Sequence, residues 1–218
     1  MSGDGDSAPD VVTDVVTDVV TAPWQRLSRR SVYRNRWIEV VEDVVRLPTG
    51  HETIYGVVQC GPCVGVLPFV DQDRVLLVQQ FRYVAGHPTW EMPTGGVHAG
   101  ESIEDAARRE LAEEAGVGTA ELVALNRYHT SKSVVEETAH LFIARGVHEV
   151  AARPDATELL RRQVWPFDAV LEMVLRSEIT DSMTVIAVLL ADRLRGADTR
   201  TGTDTAHRGG IEPLESGP

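Results

Sequence analysis

The chain has 218 residues, of which 43% are hydrophobic, and its 33 acidic and 21 basic residues give a net charge of −12. This length and composition suit one domain with a single buried core, and the negative balance argues against nucleic acid as a partner. No stretch reaches the roughly 18 apolar residues of a membrane span, so we expect no membrane partner. The acidic N-terminus has no secretory signal pattern, so we expect a cytoplasmic protein.

Both ends of the chain differ from the middle in composition. Residues 1–23 contain five Asp and no basic residue, and residues 11–21 repeat Val-Val-Thr-Asp. The Val and Thr residues favour a strand, but polar termini of low complexity are seldom held in place, so we interpret 1–23 as a disordered acidic leader. Gly, Thr, Asp and Pro indicate a disordered tail over 195–218. Residues 24–194 remain as the folded domain.

Within the folded part, apolar runs bounded by turn residues predict six strands and three helices. A hairpin is predicted at Asp71–Asp73 and a glycine-rich loop at Pro93–Gly100. Many strands with few helices, in mixed order, indicate an α+β domain or a mixed α/β sandwich. The strands are predicted over Trp37–Val45, Thr53–Cys60, Val64–Val70, Arg74–Phe81, Leu122–His129 and Ala139–Ala144, and the helices over Ser102–Ala115, Pro166–Arg176 and Asp181–Arg193.

The pair Cys60 and Cys63 brackets Gly-Pro, as in a redox tetrapeptide. Redox thiols of that type are activated by the N-terminus of a following helix, whereas an apolar, strand-like run follows here. A zinc site would need two further ligands at suitable spacing, and the sequence has no second pair of this kind. We therefore predict a turn between two strands with buried thiols.

The helix over Ser102–Ala115 is predicted by its ends and by its apolar face. Ser102 is a candidate N-cap with Asp105 three residues later, and Gly116 stands where a helix ends in a left-handed residue. At about 100° per residue, four apolar side chains share one face, which should contact a sheet. These residues are Ile103, Ala107, Leu111 and Ala115.

Beside this apolar face, Glu110, Glu113 and Glu114 fall within an arc of about 100°. Like charges at this spacing destabilise a helix by roughly 0.2–0.5 kcal/mol per pair. The carboxylates either form a solvated acidic face or supply oxygen ligands to a divalent cation. We favour the cation, since Glu101 adds a fourth carboxylate and glycines that permit close backbone approach precede the helix. The glycines are Gly95, Gly96 and Gly100.

The segment from Gly95 to Val117 resembles the Nudix box: Gly, five residues, Glu, seven residues, then Arg-Glu-aliphatic-x-Glu-Glu-x-Gly-aliphatic. Every fixed position is filled over 23 residues. The resemblance implies the Nudix fold, a mixed α/β/α sandwich of the α+β class, here with an N-terminal β-sheet extension. It also implies a magnesium-dependent hydrolase of nucleoside diphosphates linked to another group.

When the roles of the residues in the box are carried over by position, the resemblance implies a metal site for Mg²⁺, with Mn²⁺ as an alternative. Glu110 and Glu114 would be the main ligands, and Glu113 would assist in binding and catalysis. Arg109 would hold the glutamates in position by ion pairing. The implied ligands are Glu110, Glu114, Glu113, Glu101 and the carbonyl oxygen of Thr94.

The similarity extends over most of 24–194 to the ADP-ribose pyrophosphatase branch. In that branch Arg82 would contact the pyrophosphate or adenine end of a nucleotide sugar, and Glu91 would contribute near the metal. Alternatively, Arg82 is a solvent-exposed residue at a strand end and Glu91 is paired with it. Trp37 would stack on the base, or it packs in a core or an interface. The branch also implies a homodimer, in which the strands at 37–60 help to cover the partner's site. The similar segments are 31–50, 74–83, 90–96 and 177–191.

The branch has a loop after the box with a glutamate that acts as the base or positions the water. Here the loop spans 129–137, where Glu137 fits best by its distance to the next strand and Glu136 is the alternative. The Pro-Gly common in ADP-ribose pyrophosphatases is replaced by Lys132 and Ser133. Lys132 either meets an anionic substrate or lies in solvent.

Two other functions stay open at this point. One is hydrolysis of another nucleoside diphosphate derivative or a dinucleotide, and the other is a catalytically silent Nudix-fold module that binds a ligand. The intact box favours an enzyme, because binding modules of this fold usually carry a degraded box.

Overall fold

The computed structural model describes residues 22–151 and 160–201. The predicted leader and tail lie outside these residues, except at 22–23 and 195–201. The chain divides into two compact units, which we call the first unit (Met1–Gly61 with His129–Glu137) and the second unit (Pro62–Tyr128 with Thr138–Pro218). The segment 129–137, which carries the two candidate base glutamates, thus groups with the N-terminal strands.

The first unit is a four-stranded sheet. Its strands span Gln25–Arg34 (β1), Glu39–Arg46 (β2), Glu52–Gln59 (β3) and Val135–Glu136 (β9), and they lie in the order β1-β2-β3-β9. Strands β1, β2 and β3 are antiparallel, and β9 joins β3 in parallel where Val58 faces Val135. Strand β1 was not predicted, since its arginines interrupt the apolar alternation, and all ten of its residues are exposed.

A bidentate ion pair joins β1 to β2. Arg29 Nε lies 2.7 Å from Asp43 Oδ1, and Nη2 lies 2.8 Å from Oδ2. Asp43 is buried, so its charge requires this partner. The hydrogen bonds from Arg29 hold the pKa of Asp43 below its ordinary value.

This lowered pKa predicts an acid-sensitive contribution to stability. A carboxylate whose pKa is lower in the folded state stabilises the fold above its unfolded pKa of about 3.9, and the contribution disappears as pH falls through the folded pKa. We therefore expect Asp43→Asn to lower the free energy of unfolding at pH 6, with a difference from wild type that shrinks below about pH 4. Urea unfolding between these pH values measures it. A difference that stays constant with pH would contradict the assignment.

The second unit contains seven strands and three helices among the residues described. The strands span Cys63–Pro68 (β4), Arg74–Arg82 (β5), His87–Glu91 (β6), Thr94–Gly96 (β7), Val117–His129 (β8), Thr138–Glu149 (β10) and Arg161–Pro166 (β11). One sheet has the order β7-β4-β10-β8, with β4 and β10 parallel, and the other is antiparallel in the order β11-β5-β6. The helices span Ile103–Ala115 (α1), Phe167–Leu175 (α2) and Ser182–Thr201 (α3).

Alternating side chains bury both faces of β4 and of the first half of β5. Val66 and Val78 pack with α1 residues such as Leu111, whereas Leu67 and Leu77 belong to the cluster of α2 and α3. Helices therefore cover both faces, which confirms the α/β/α sandwich of the α+β class. Within the described part of the chain, no helix is long and apolar enough to cross a membrane.

Some local predictions differ from the structure. The hairpin at Asp71–Asp73 is reduced to a turn with one bridge, Phe69 to Val75, because β4 and β5 are apolar on both faces and enter different sheets. Helix α3 continues past the predicted end to Thr201. The prediction of buried thiols is wrong for Cys60, which is exposed where β3 ends, and Cys63 is half-buried.

Helix α3 begins with a cap whose loss should be measurable. The Asp181 carboxylate accepts hydrogen bonds from the backbone N–H of Thr184 (2.7 Å) and from its buried hydroxyl (2.6 Å). Asp181→Ala should lower the free energy of unfolding by about 1–2 kcal/mol, because a buried donor loses its acceptor. Asp192→Ala, an exposed position in the same helix, is the control in urea titrations. Equal losses for the two variants would contradict the cap.

Candidate active site

Helix α1 has the ends that its sequence predicts. The Ser102 hydroxyl accepts a hydrogen bond from the Asp105 N–H at 3.1 Å, and Gly116 ends the helix in the left-handed region at φ 64°. Leu111 is fully buried against the sheet. The cap and the apolar face together fix how the helix presents its glutamates.

Two of the glutamates are buried beside short strand β7. Glu110 is 8% exposed and Glu114 is 3% exposed, and Glu114 Oε2 accepts a hydrogen bond from the Thr94 N–H at 2.8 Å. A β-carbon at Gly95 would overlap the Glu110 carboxylate. This region was predicted as a loop, but it forms β7, which pairs with β4 and brings its backbone against both carboxylates.

Arg109 joins the other carboxylates. Its Nε lies 2.8 Å from Glu101 Oε1, and its Nη1 lies 2.6 Å from Glu110 Oε1 and 3.0 Å from Glu113 Oε2. Its Nη2 donates to the carbonyl oxygen of Gly96 at 2.8 Å. Arg109 thus makes the ion pairs that the box implies and ties the helix to the loop before it.

Glu101 is strongly held in its charged form. The hydrogen bonds from Arg109, followed by the one from the His98 N–H at 3.0 Å, lower the pKa of Glu101 to about 2. The same contacts raise the pKa of Arg109 above its ordinary value. Both groups therefore stay ionised throughout the physiological pH range.

The carboxylates of this site fit a divalent cation, although three of them are hydrogen-bonded to Arg109 in the structure. Among residues 22–151 and 160–201, no three His, Cys, Asp or Glu side chains surround a common point as metal ligands. Glu110 and Glu114 are nevertheless hard oxygen donors, buried one turn apart. Buried carboxylates require positive charge, and oxygen donors are those that Mg²⁺ prefers. The space kept open by Gly95 leaves the Glu110 carboxylate against the backbone.

A second ion pair lies on strands β5 and β6. Arg82 donates from Nε to both oxygens of Glu91 at 3.0 Å and from Nη2 to Oε2 at 2.6 Å. Nη2 also lies 3.4 Å from Thr94 Oγ1, so the pair reaches β7. Glu91 is buried, and sequence reasoning missed its further partner Thr89, although their spacing places both side chains on one face of β6.

The candidate base residues belong to the first unit and differ in their contacts. The Glu136 carboxylate accepts a hydrogen bond from Gln59 on the neighbouring strand β3. Glu137 makes no side-chain hydrogen bond to any residue described, and its carbonyl oxygen accepts from the Thr130 N–H at 3.3 Å. Glu137 is therefore the freer carboxylate of the two.

The remaining predicted residues also lie in the first unit. Lys132 is exposed and borders a cavity of 230 Å³ together with Arg29 and Tyr55. Trp37 is 68% exposed, and the Arg36 guanidinium lies 4.4 Å from its ring centre. Trp37 is thus not a core residue of this unit. The second unit brings together Glu110, Glu114, Glu113, Glu101, Thr94 and Arg109, with Arg82 and Glu91 next to Thr94.

Comparison with known proteins gives two family matches for this chain. The NUDIX domain family matches residues 61–183, and the nucleoside diphosphate sugar hydrolase N-terminal domain matches 24–58. A methanol dehydrogenase activator from Bacillus methanolicus is 29% identical over 164 residues, and an ADP-ribose pyrophosphatase from Bacillus subtilis (strain 168) is 27% identical over 164 residues. Each alignment covers 74% of this chain and 89% of the relative.

A solved structure, a crystal structure of an ADP compounds hydrolase, shares the fold with a TM-score of 0.74 and 22% identity. The match covers 82% of this chain and 97% of that chain. The NUDIX match spans more than half of the chain and contains the carboxylate helix and the loop before it. The chain therefore belongs to the Nudix hydrolase family, in its ADP-ribose pyrophosphatase-like branch.

Proposed function

We propose that the protein hydrolyses the diphosphate bond of ADP-ribose or a related nucleoside diphosphate sugar, with Mg²⁺ or Mn²⁺ as cofactor. The products are a nucleoside monophosphate and a sugar phosphate. The observation that carries this proposal is the pair of buried carboxylates, Glu110 and Glu114, against the backbone of β7. The match of residues 24–58 to the N-terminal domain of nucleoside diphosphate sugar hydrolases supports the substrate class.

In this proposal the carboxylates of α1 hold the metal, and Arg109 keeps them in position. Bound Mg²⁺ supplies positive charge to the diphosphate and makes water more acidic. Arg109 holds Glu101, Glu110 and Glu113 through one guanidinium and so fixes the direction of the three carboxylates. The proposed ligands are Glu110, Glu114, Glu113, Glu101 and the carbonyl oxygen of Thr94.

Substrate binding is assigned to cationic and aromatic side chains. Arg82 donates to a diphosphate oxygen. Its side chain is 42% exposed and can reach the substrate, while its hydrogen bonds to buried Glu91 hold the guanidinium in place. Lys132 and Trp37, both exposed, are assigned to the sugar and base ends of the substrate.

We assign Glu137 as the general base that accepts the proton of the attacking water. Water adds to one phosphorus, the bridging P–O bond breaks, and the proton passes to a Glu137 carboxylate oxygen. The leaving phosphate keeps the bridging oxygen. The hydrogen bond from Gln59 to Glu136 supports Glu137 over its neighbour.

A substrate panel tests the proposal. Purified protein with Mg²⁺ is incubated with ADP-ribose, ADP-glucose, GDP-mannose, UDP-glucose, NADH and diadenosine polyphosphates, and products are separated by ion-pair chromatography. We expect the highest kcat/KM for a nucleoside diphosphate sugar, with loss of activity in EDTA. Preference for another sugar over ADP-ribose would give Lys132 a role in specificity. Turnover of no compound by folded protein would contradict the proposal.

We further infer that the protein is a homodimer joined through the first unit. Among the described strands, β1 forms the edge of its sheet, and its side chains are exposed on both faces, whereas such edges are normally covered. Exposed Val32, Tyr33 and Ile54 add apolar surface to the same sheet. Light scattering should give twice the chain mass, whereas a monomer mass at micromolar concentration would contradict the dimer. The cytoplasmic location stays a prediction from sequence.

A further inference from the structure

The buried Glu91 carboxylate is held from two sides. Arg82 approaches both of its oxygens, at 2.6 Å for the shortest contact, and the Thr89 hydroxyl donates to Oε1. Glu91 is 2% exposed and Thr89 is 5% exposed, so neither can exchange its partner for bulk water. A buried charge that loses a donor is costly, so the Thr89 hydroxyl contributes to how this carboxylate lies.

The strand register explains why Thr89 and Glu91 meet. Strands β5 and β6 are antiparallel, with Val78 opposite Glu91 and Gln80 opposite Thr89. Side chains two residues apart share one face of a strand, so Thr89 and Glu91 face the same side of the hairpin. Arg82 lies on that face as well and closes the group. The three side chains therefore form a chain of contacts from Thr89 through Glu91 to Arg82.

Arg82, at the solvent-exposed end of this chain of contacts, has N–H groups that donate to no atom of the described residues. A guanidinium carries five N–H groups, and those of Arg82 on Nε and Nη2 point to Glu91 and Thr94. Nη1 donates to no atom in the described part of the chain, and the side chain is 42% exposed. Hydrogen bonds from Nε and Nη2 to the two carboxylate oxygens hold the Arg82 guanidinium in the plane of the Glu91 carboxylate. The orientation of that carboxylate therefore sets the direction in which Nη1 points.

We propose that Thr89 is a positioning residue for substrate binding. Its hydroxyl fixes the Glu91 carboxylate, which holds the Arg82 guanidinium with Nη1 free for an oxygen of the substrate diphosphate. This inference rests on the proposed function and adds to it a residue outside the Nudix box. Without the hydroxyl, the carboxylate can turn about its last torsion, and Arg82 loses its fixed direction.

The test compares Thr89→Val, which keeps the shape and loses the hydroxyl, with Thr89→Ser, which keeps the hydroxyl. For ADP-ribose with Mg²⁺, the Val variant should raise KM about five- to tenfold with kcat changed less than about twofold, because the Arg82 contact is made in the bound substrate as well as the transition state. The Ser variant should restore KM to within about twofold of wild type.

A matched control separates positioning from stability. Thr119 is also buried, and its hydroxyl oxygen lies 2.6 Å from the Glu121 carbonyl oxygen and 2.7 Å from that of Arg145, so that its one proton is donated within this pair and not to Glu91. Thr119→Val should lower the melting temperature and leave KM unchanged. Thr89→Ala is made beside Thr89→Val as a second variant without the hydroxyl.

The outcomes distinguish this inference from the proposed function. Wild-type turnover of ADP-ribose together with an unchanged KM in Thr89→Val would overturn the inference alone. A Ser variant that behaves like the Val variant would also overturn it, as would unfolding of both the Val and Ala variants while the Ser variant folds. Absence of wild-type turnover across the panel would overturn the proposed function, and the inference with it.

Discussion

Replacing Glu114 with Gln is expected to lower kcat for ADP-ribose by at least about 1,000-fold while leaving the fold intact. The Glu114 carboxylate is 3% exposed and is proposed as a main metal ligand, so a neutral amide removes a charge that no solvent group replaces. The Gln side chain still offers an oxygen to the Thr94 N–H, which preserves the contact between α1 and β7. Initial rates and thermal melts on the same preparation measure both effects.

Two further variants on α1 calibrate that loss. Glu104→Gln changes an exposed carboxylate in the first turn and should retain wild-type kcat. Glu113→Gln removes an assisting group whose side chain is 37% exposed and should have an intermediate effect. Near-normal turnover by Glu114→Gln would show that the metal ligands are wrongly assigned. An equal loss in all three variants would indicate a general effect of helix charge.

The second large effect is expected at the loop of the first unit. Glu137→Gln should lower kcat about 100-fold or more, the usual contribution of a general base, with little change in KM. Glu136→Gln is the matched control and should cost less, because Glu136 is bonded to Gln59 and a Gln at 136 can still accept that hydrogen bond. Steady-state rates of the two variants with ADP-ribose measure the order.

The reverse order of these two variants would move the base to Glu136. Equal and small effects would remove the base from this loop altogether. Melting temperatures control for a change in the pairing of β9 with β3, which places Glu136 opposite Gln59. A loss of kcat with an unchanged melting temperature therefore reports on chemistry.

Sequence reasoning worked best where the signal is local. The N-cap Ser102 and the terminal Gly116 bracket α1 as predicted, since capping depends on residues a few positions apart. The apolar runs at Val64–Val70 and Arg74–Phe81 likewise predicted the strands β4 and β5. What sequence could not supply was their partners, because pairing is decided between segments far apart in the chain.

The missed features of the site are all of this non-local kind. The glycine-rich composition of β7 predicted a loop. The segment forms a strand because its backbone pairs with β4, which is distant in sequence. The segment 129–137 groups with the N-terminal strands through the pairing of Val58 with Val135. Thr89 belongs to no recognised sequence motif. Only the structure of the β5–β6 hairpin shows that its hydroxyl donates a hydrogen bond to Glu91.

Hydrolysis in ¹⁸O-labelled water tests the central claim most directly. ADP-ribose is incubated with wild-type protein and Mg²⁺ in labelled water, and products are analysed by mass spectrometry. We predict AMP and ribose 5-phosphate in equal amounts, with one ¹⁸O atom in the phosphate of one product and none in the other. Formation of ADP and free ribose would contradict cleavage of the diphosphate bond, and absence of cleavage by folded protein, here and across the substrate panel, would contradict a hydrolase of nucleotide sugars.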